Sequence, residues 1–322
     1  MANSKIHRVK EEMLATWNIA RTTSLTGAAV TLLGKLKIQQ LNRNGWQETT
    51  WDTRLLQRKH HWMQTYLRSI IAMPPCPERT APCPQGPVWL CWWQGEEKAP
   101  DLVKACVSSV RRQVQDRPVV VLTEENYREY AAIPRWMEEK FLRGVISATH
   151  FSDILRLYLL AEHGGIWLDA TVFCTGRPDG WDQPLWTVKR PGYAHGSPAV
   201  GRFATYAMGC DGEHRWIFAL LRDLLLSYWE SHDHLMDYLV LDYLMVLAME
   251  AYPEVEEAFR AVPPNEPACD ELYKILAEPF DAGKWDALRR QSCLFKLTRK
   301  QAFPREKQGK PTFYAMLTEE KR

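Results

Sequence analysis

The order of polar and apolar positions divides the chain into three stretches. Between 4 and 70, polar and apolar residues mix at helical spacing without a proline. Leu55, Leu56, Trp62, Met63, Tyr66, Leu67 and Ile70 form an apolar stripe with a period near that of a helix. Residues 73–87 then hold six prolines, which exclude both a helix and a central strand and predict a linker. The body opens with Val88-Trp89-Leu90-Cys91-Trp92-Trp93, an apolar run of strand length broken at Gln94-Gly95. A helix is predicted over 101–113 behind Pro100, and a buried strand over 118–122. Thr123 is read as the N-cap of a helix over 124–130, with another helix after Pro134. Alternating strands and helices with short loops predict a parallel α/β sheet with helices on its faces. Past Pro178 the pattern loosens to strands near 185–188 and 199–208 and helices near 214–230 and 235–250. Residues 268–291 read as helical and 293–298 as a late strand. The predicted organisation is a helical arm over 1–72, a linker over 73–87 and an α/β domain over 88–322.

One segment, 149–171, carries the chemistry. On the greasy helix 152–163, Asp153 and Arg156 lie three apart and share a face. Buried charges pair with each other or meet a ligand, and the spacing permits either. Gly164 suits the end of a helix, and Gly165 allows close backbone approach, to another strand or to a ligand. Ile166-Trp167-Leu168 then delivers Asp169 to the carboxyl end of a strand, where open parallel sheets bind ligands. A carboxylate there can hold a Mg²⁺ or Mn²⁺ ion whose shell is completed by water and phosphate oxygens. Such a cation would offset the charge growing on a leaving diphosphate.

Composition changes this picture little. Hydrophobic residues make up 46% of the chain and charged residues 25%, a globular balance. The net charge of +2 gives no sign of a nucleic-acid partner. Its distribution is uneven: residues 1–70 carry eleven Lys and Arg against four Asp and Glu. A basic arm of this kind leans on an anionic membrane surface or is simply solvated. No apolar run reaches about 18 residues and no secretory signal opens the chain. A cytoplasmic protein is therefore expected, in peripheral contact with the inner face of the plasma membrane through 1–70 where the arm leans on lipid, or with the arm solvated. The eight cysteines form no CxxC pair; Cys91, Cys106 and Cys174 are expected to be buried thiols, with Cys76 and Cys83 exposed. The chain has no GxGxxG after its first strand, no P-loop, no HExxH and no GxSxG.

The run from Ser152 to Val172, SDILRLYLLAEHGGIWLDATV, resembles the central motif of the capsular polysaccharide synthesis proteins. These are similar to GT-A-type glycosyltransferases, including those with a DxD sugar-binding region. The resemblance extends more weakly over 88–298, and WWQGEEKAPDLVKAC at 92–106 looks like the first strand, nucleotide-side loop and helix of that group. It implies a GT-A-like, Rossmann-like mixed sheet flanked by helices, and transfer of a sugar from a nucleoside diphosphate, UDP-sugar favoured, to a glycan or lipid-linked glycan. Asp153 and Arg156 would contact the nucleoside and phosphate parts of the donor, and Asp169 the ribose and the metal. Trp92, Trp93 and Gln94 at the end of the first strand, with Gly165, complete the expected donor site; Trp92 or Trp93 would meet the base. Trp167, Trp181 and Trp186 fall in or near the same region. The second Asp of DxD is Thr171 here, so the expected metal set is Asp169 with Thr171. Another metal ligand from the C-terminal half, or a basic residue on the diphosphate, would compensate; Lys296, Arg299 and Lys300 are candidates for the latter, or are solvated surface. Met236–Leu244, with its DYxxxDY pattern, also resembles the capsular subgroup. Asp237 or Asp242 there would orient the acceptor hydroxyl or act as its base, or would cap and solvate a helix. The DxD resemblance implies retention of anomeric configuration; an inverting base remains open in those two carboxylates. Thr171 also leaves open a non-catalytic nucleotide- or glycan-binding relative, and the basic arm a scaffold of a membrane-associated assembly.

Overall fold

The computed structural model describes residues 13–79, 86–190 and 194–319. Cys83 and the first twelve residues of the basic arm lie outside them. Ser24 and Thr49 divide the predicted helical arm into three helices: α1 (13–22), α2 (Leu25–Arg43) and α3 (Thr50–Ile70). The Ser24 side chain caps α2 by accepting from the Gly27 amide. Thr49 and Asp52 form a reciprocal capping box on α3. Asn44-Gly45 turns the chain between them, with Gly45 at φ 75°.

The body begins with β1 (Val88–Cys91), α4 (Asp101–Gln113), β2 (Val119–Leu122), α5 (Arg135–Leu142), α6 (Ala148–His163) and β3 (Gly165–Leu168). Helix α4 starts and ends where the sequence places it. The 124–130 segment forms only a short 3-10 turn at Tyr127–Glu129. After β3 come β4 (Val172–Cys174), β5 (Leu185–Thr187), β6 (Ala207–Cys210), α7 (Arg215–Ser231), α8 (Val240–Ala251) and α9 (Pro253–Ala261). The chain finishes with α10 (Glu271–Ile275), α11 (Ala282–Arg289), β7 (Leu294–Lys296), β8 (Glu306–Lys307), β9 (Lys310–Pro311) and α12 (Phe313–Glu319). The expected helix over 268–291 is broken at Pro279, which bridges to Thr312 instead.

The central sheet has the order β2-β1-β3-β6-β5. Strands β1, β2 and β3 run parallel, whereas β6 and β5 join antiparallel. The sheet is therefore mixed and flanked by helices, as the family resemblance implies, rather than parallel throughout, as the alternation of strands and helices alone suggests. Its faces are both covered. Trp89, Trp167 and Met208 pack into a core shared with α6, α7 and α8, while Val88, Leu90, Ile166 and Leu168 pack with Val103, Val107 and Val110 of α4. Burial on both faces explains why the strands read as unbroken apolar runs.

Two features of this frame position the site. Gly165 has φ 88°, and a Cβ there would lie 2.2 Å from the Pro87 carbonyl oxygen. Of the two uses foreseen for this glycine, the structure takes strand approach: it seats β3 beside the backbone leading into β1. Strand β4 pairs with β7, setting Val172 opposite Lys296. The arm is tied to the body through buried polar contacts. Lys59 of α3 bonds the Tyr243 hydroxyl at 2.8 Å and pairs with Asp237 at 3.0 Å. Lys35 of α2 donates to the Met236 carbonyl at 2.7 Å.

Candidate active site

The carboxyl ends of β1 and β3 open onto a cleft of about 510 Å³. Cys91, Trp92, Trp93 and Gln94 line it from β1, and Asp169, Ala170 and Thr171 from β3. Helix α6 contributes Ala148, Thr149, Ser152, Asp153 and Arg156, one face of its N-terminal half. Its first turn precedes the predicted start because Ser147 caps it, accepting from the His150 amide. The opposite walls are Tyr238, Leu239, Leu241 and Asp242, and the segment Lys296 to Lys300.

Asp169 sits at the hub. Its Oδ1 accepts from Arg156 Nη2 at 3.1 Å and from Trp167 Nε1 at 3.0 Å, and its Oδ2 from Lys296 Nζ at 2.6 Å. Burial alone would raise this carboxyl's pKa, but Lys296 and Arg156 bring it below the ordinary carboxylate value. Arg156 also donates to Asp153 Oδ1 at 2.7 Å, so these two do pair with each other, and the pair extends into the cleft through Asp169. Burial raises the pKa of Asp153. The Arg156 guanidinium lies over the Trp167 ring, 4.9 Å from its centroid.

Lys296 is placed by local structure. Its amide donates to the Cys269 carbonyl, and the next amide, of Leu297, donates to the Thr171 carbonyl. Lys296 Nζ reaches Thr171 Oγ1 at 2.9 Å as well as Asp169. A cation held jointly by Asp169 and Thr171 would have to sit where this ammonium sits. The expected metal set thus fits a bound lysine, and a resident dication would have to displace it against like charge. Among the described residues, no group of three or more His, Cys, Asp or Glu side chains is placed to hold a metal.

Asp242 lies on the far wall in α8. Burial, with smaller contributions from Asp153 and Asp237, pushes its pKa up to about 6, although it accepts from Ser197 Oγ at 2.8 Å. A carboxyl titrating there can take a proton near neutral pH. Asp237 does not line the cleft. It precedes α8, is buried, and its ion pair with Lys59 holds its pKa down to about 2 against the upward push of burial. Its carboxylate is committed to joining α3 to the body.

The remaining predicted residues separate in the same way. Trp92, Trp93 and Trp167 line the cleft, whereas Trp181 and Trp186 pack against each other with ring centroids 5.4 Å apart. Trp93 is braced by Tyr127, Phe141 and Phe151. Trp92 carries the Arg299 guanidinium over its ring at 5.1 Å, and Lys300 lies over Tyr238 at 5.8 Å. Lys296, Arg299 and Lys300 therefore belong to the cleft wall. Gly165 does not. Two buried donors of cleft-lining side chains, Trp92 Nε1 and Arg156 Nε, lack a protein acceptor. Sequence reasoning missed Asp270, which lines the cleft and pairs with Arg190 at 2.5 Å, and Ser197, the partner of Asp242. Neither sits in a recognisable motif.

No curated protein matches this chain. Among solved structures, a PaToxG glycosyltransferase is 14% identical over 74% of this chain and 93% of that one, with a TM-score of 0.35, too distant to place any residue. A model of the capsular polysaccharide synthesis protein family matches residues 47–317, which spans α3, the whole sheet and every wall of the cleft. The chain belongs to the capsular polysaccharide synthesis protein family.

Proposed function

We propose that the protein is a glycosyltransferase that takes a sugar from a nucleoside diphosphate and passes it to a glycan or lipid-linked glycan acceptor. The observation that carries this reading is the charge network Asp153–Arg156–Asp169–Lys296 at the carboxyl ends of β1 and β3. It faces aromatic side chains on one side and a carboxyl with pKa about 6 on the other.

In this reading the base stacks on Trp92 or Trp93, and Asp169 accepts from a ribose hydroxyl while holding its two cations in place. Lys296 and Arg156, with Arg299 and Lys300 at the mouth, face the diphosphate and offset the charge it gains as the glycosidic bond breaks. The orphaned Arg156 Nε and Trp92 Nε1 supply further donors for donor-substrate oxygens. The acceptor hydroxyl attacks the anomeric carbon and gives its proton to Asp242, and the nucleoside diphosphate leaves. A base in that position suits inversion. The positive charge that faces the anionic leaving group comes from side chains, so no step needs a dication held by Asp169 and Thr171.

Hydrolysis and transfer assays across common nucleotide sugars test the reading. One donor should be turned over by the wild type, and Asp169→Asn or Arg156→Ala should reduce kcat/KM by roughly 10²-fold or more, in keeping with loss of a charge-stabilising group. Folded protein that neither binds nor hydrolyses any nucleotide sugar would contradict it.

A further inference from the structure

Helix α2 is packed inside out. The side it turns inward carries Gly27, Ala28, Thr31, Gly34 and Lys35, with Leu41 alone among its leucines buried, in the last turn. The leucines of its first three turns face solvent: Leu25 is 79% exposed, Leu33 54% and Leu36 53%. With Ala29 and Leu32, also exposed, they recur at spacings of three and four and form one stripe. The orientation is locked. A Cβ on Gly27 would lie 2.7 Å from the Trp62 ring, and one on Gly34 2.7 Å from Lys59 Cβ. Rotating α2 to bury Leu25, Leu33 and Leu36 would break this close approach and the bond from Lys35 to the Met236 carbonyl.

The surroundings continue the pattern. Met13, Leu14 and Trp17 of α1 and Trp51 of α3 are exposed as well. Arg21, Arg43, Arg54 and Arg58 are exposed on the same three helices and their ends. The two carboxylates of residues 13–58 are both engaged: Asp52 is buried and paired with Lys37, and Glu48 holds His195 and Trp46. Exposed charge across this stretch is therefore all positive. Exposed leucine and tryptophan beside arginine, with no unengaged acid between residues 13 and 58, match the boundary between acyl chains and anionic headgroups. A second copy of the chain would set these arginines near one another, which disfavours that occupant.

We propose that the exposed face of α1, α2 and the start of α3 docks the protein onto an anionic lipid bilayer. The leucines and tryptophans enter the headgroup region and the arginines meet lipid phosphates. This is independent of the chemistry of the cleft.

The test is flotation of the full chain with vesicles of phosphatidylcholine alone or with about 30% phosphatidylglycerol. The protein should float with the anionic vesicles and be released as salt rises. Arg54→Ala with Arg58→Ala should weaken partitioning about 25-fold, roughly 5-fold per charge. Leu33→Ser with Leu36→Ser should weaken it by at least about 10-fold. All four positions are exposed, so both variants should keep the wild-type melting temperature; if the serine pair does not, the arginine pair decides. Failure to float with either vesicle would overturn the proposal. So would flotation indifferent to salt and to the arginine pair, or self-association in sedimentation that Leu33→Ser abolishes.

Discussion

Asp169 accepts hydrogen bonds from Arg156, Trp167 and Lys296 together, and this one carboxylate organises the cleft. The sequence shows Asp153, Arg156 and Asp169 within a single segment, and the structure joins them. Lys296 was visible only as one of several basic candidates. Its contact with Asp169 spans 127 positions, and no local pattern encodes it. Gly165 could be read as an approach to a ligand or to a strand, and only the 2.2 Å limit at Pro87 decides for the strand. Asp237 and Asp242 look alike in sequence but have opposite environments, pKa about 2 beside Lys59 and about 6 beside Ser197. If Asp242 is the base, kcat should rise with pH through an acid limb near 6. Asp242→Asn should lower kcat by about 10²–10⁴-fold and remove that limb, read from the pH–rate profile. An undiminished Asp242→Asn enzyme, with product of retained configuration, would remove the residue from the role.

At the scale of elements, β4–β7 pairing and the β3–β1 junction do the positioning. Gly165→Ala would force φ 88° on a side chain and drive its Cβ into the Pro87 carbonyl. The expected cost is at least about 3 kcal/mol, measurable by urea denaturation, from strain and overpacking together. An equally stable alanine variant would show that β3 can shift away from β1. Elements with strong local signals were legible: α4 behind Pro100, β1 and β2 as apolar runs, and α3 at its stripe. Those set by distant partners were not. The strand expected over 199–208 is β6 at Ala207–Cys210, because 199–206 is held in turns, in part by Thr187 Oγ1 taking the Ala204 amide. Helix α8 begins at Val240 rather than 235 because the Asp237 side chain instead accepts from the Leu239 amide and pairs with Lys59. The antiparallel half of the sheet consists of strands of three or four residues buried on both faces, which show no alternation to read.

Across the whole molecule, the helical arm and the α/β body share one core and a buried polar junction. His60 donates from Nε2 to the His195 carbonyl and accepts at Nδ1 from the Tyr243 hydroxyl, which in turn accepts from Lys59. Burial, then the neighbouring Lys59, lowers the His60 pKa to about 4. Between about pH 6.5 and 4 the unfolded chain therefore binds the extra proton, and stability falls as pH falls. The loss should reach up to about 3 kcal/mol across that window, and Asp237 adds a further loss below about pH 4. Thermal melts of wild type and His60→Gln check this: the variant should show a flatter dependence between pH 6.5 and 4, and an unchanged slope would count against it. In the proposed reading, side chains rather than a dication meet the donor diphosphate in the cleft. Calorimetric titration of UDP into the protein, once in EDTA and once with Mn²⁺, measures it most directly. The same affinity is expected in both buffers, with a loss of about 10–100-fold in Lys296→Met, the worth of one charged hydrogen bond. Binding that appears only with Mn²⁺, or that survives Lys296→Met unchanged, would contradict it.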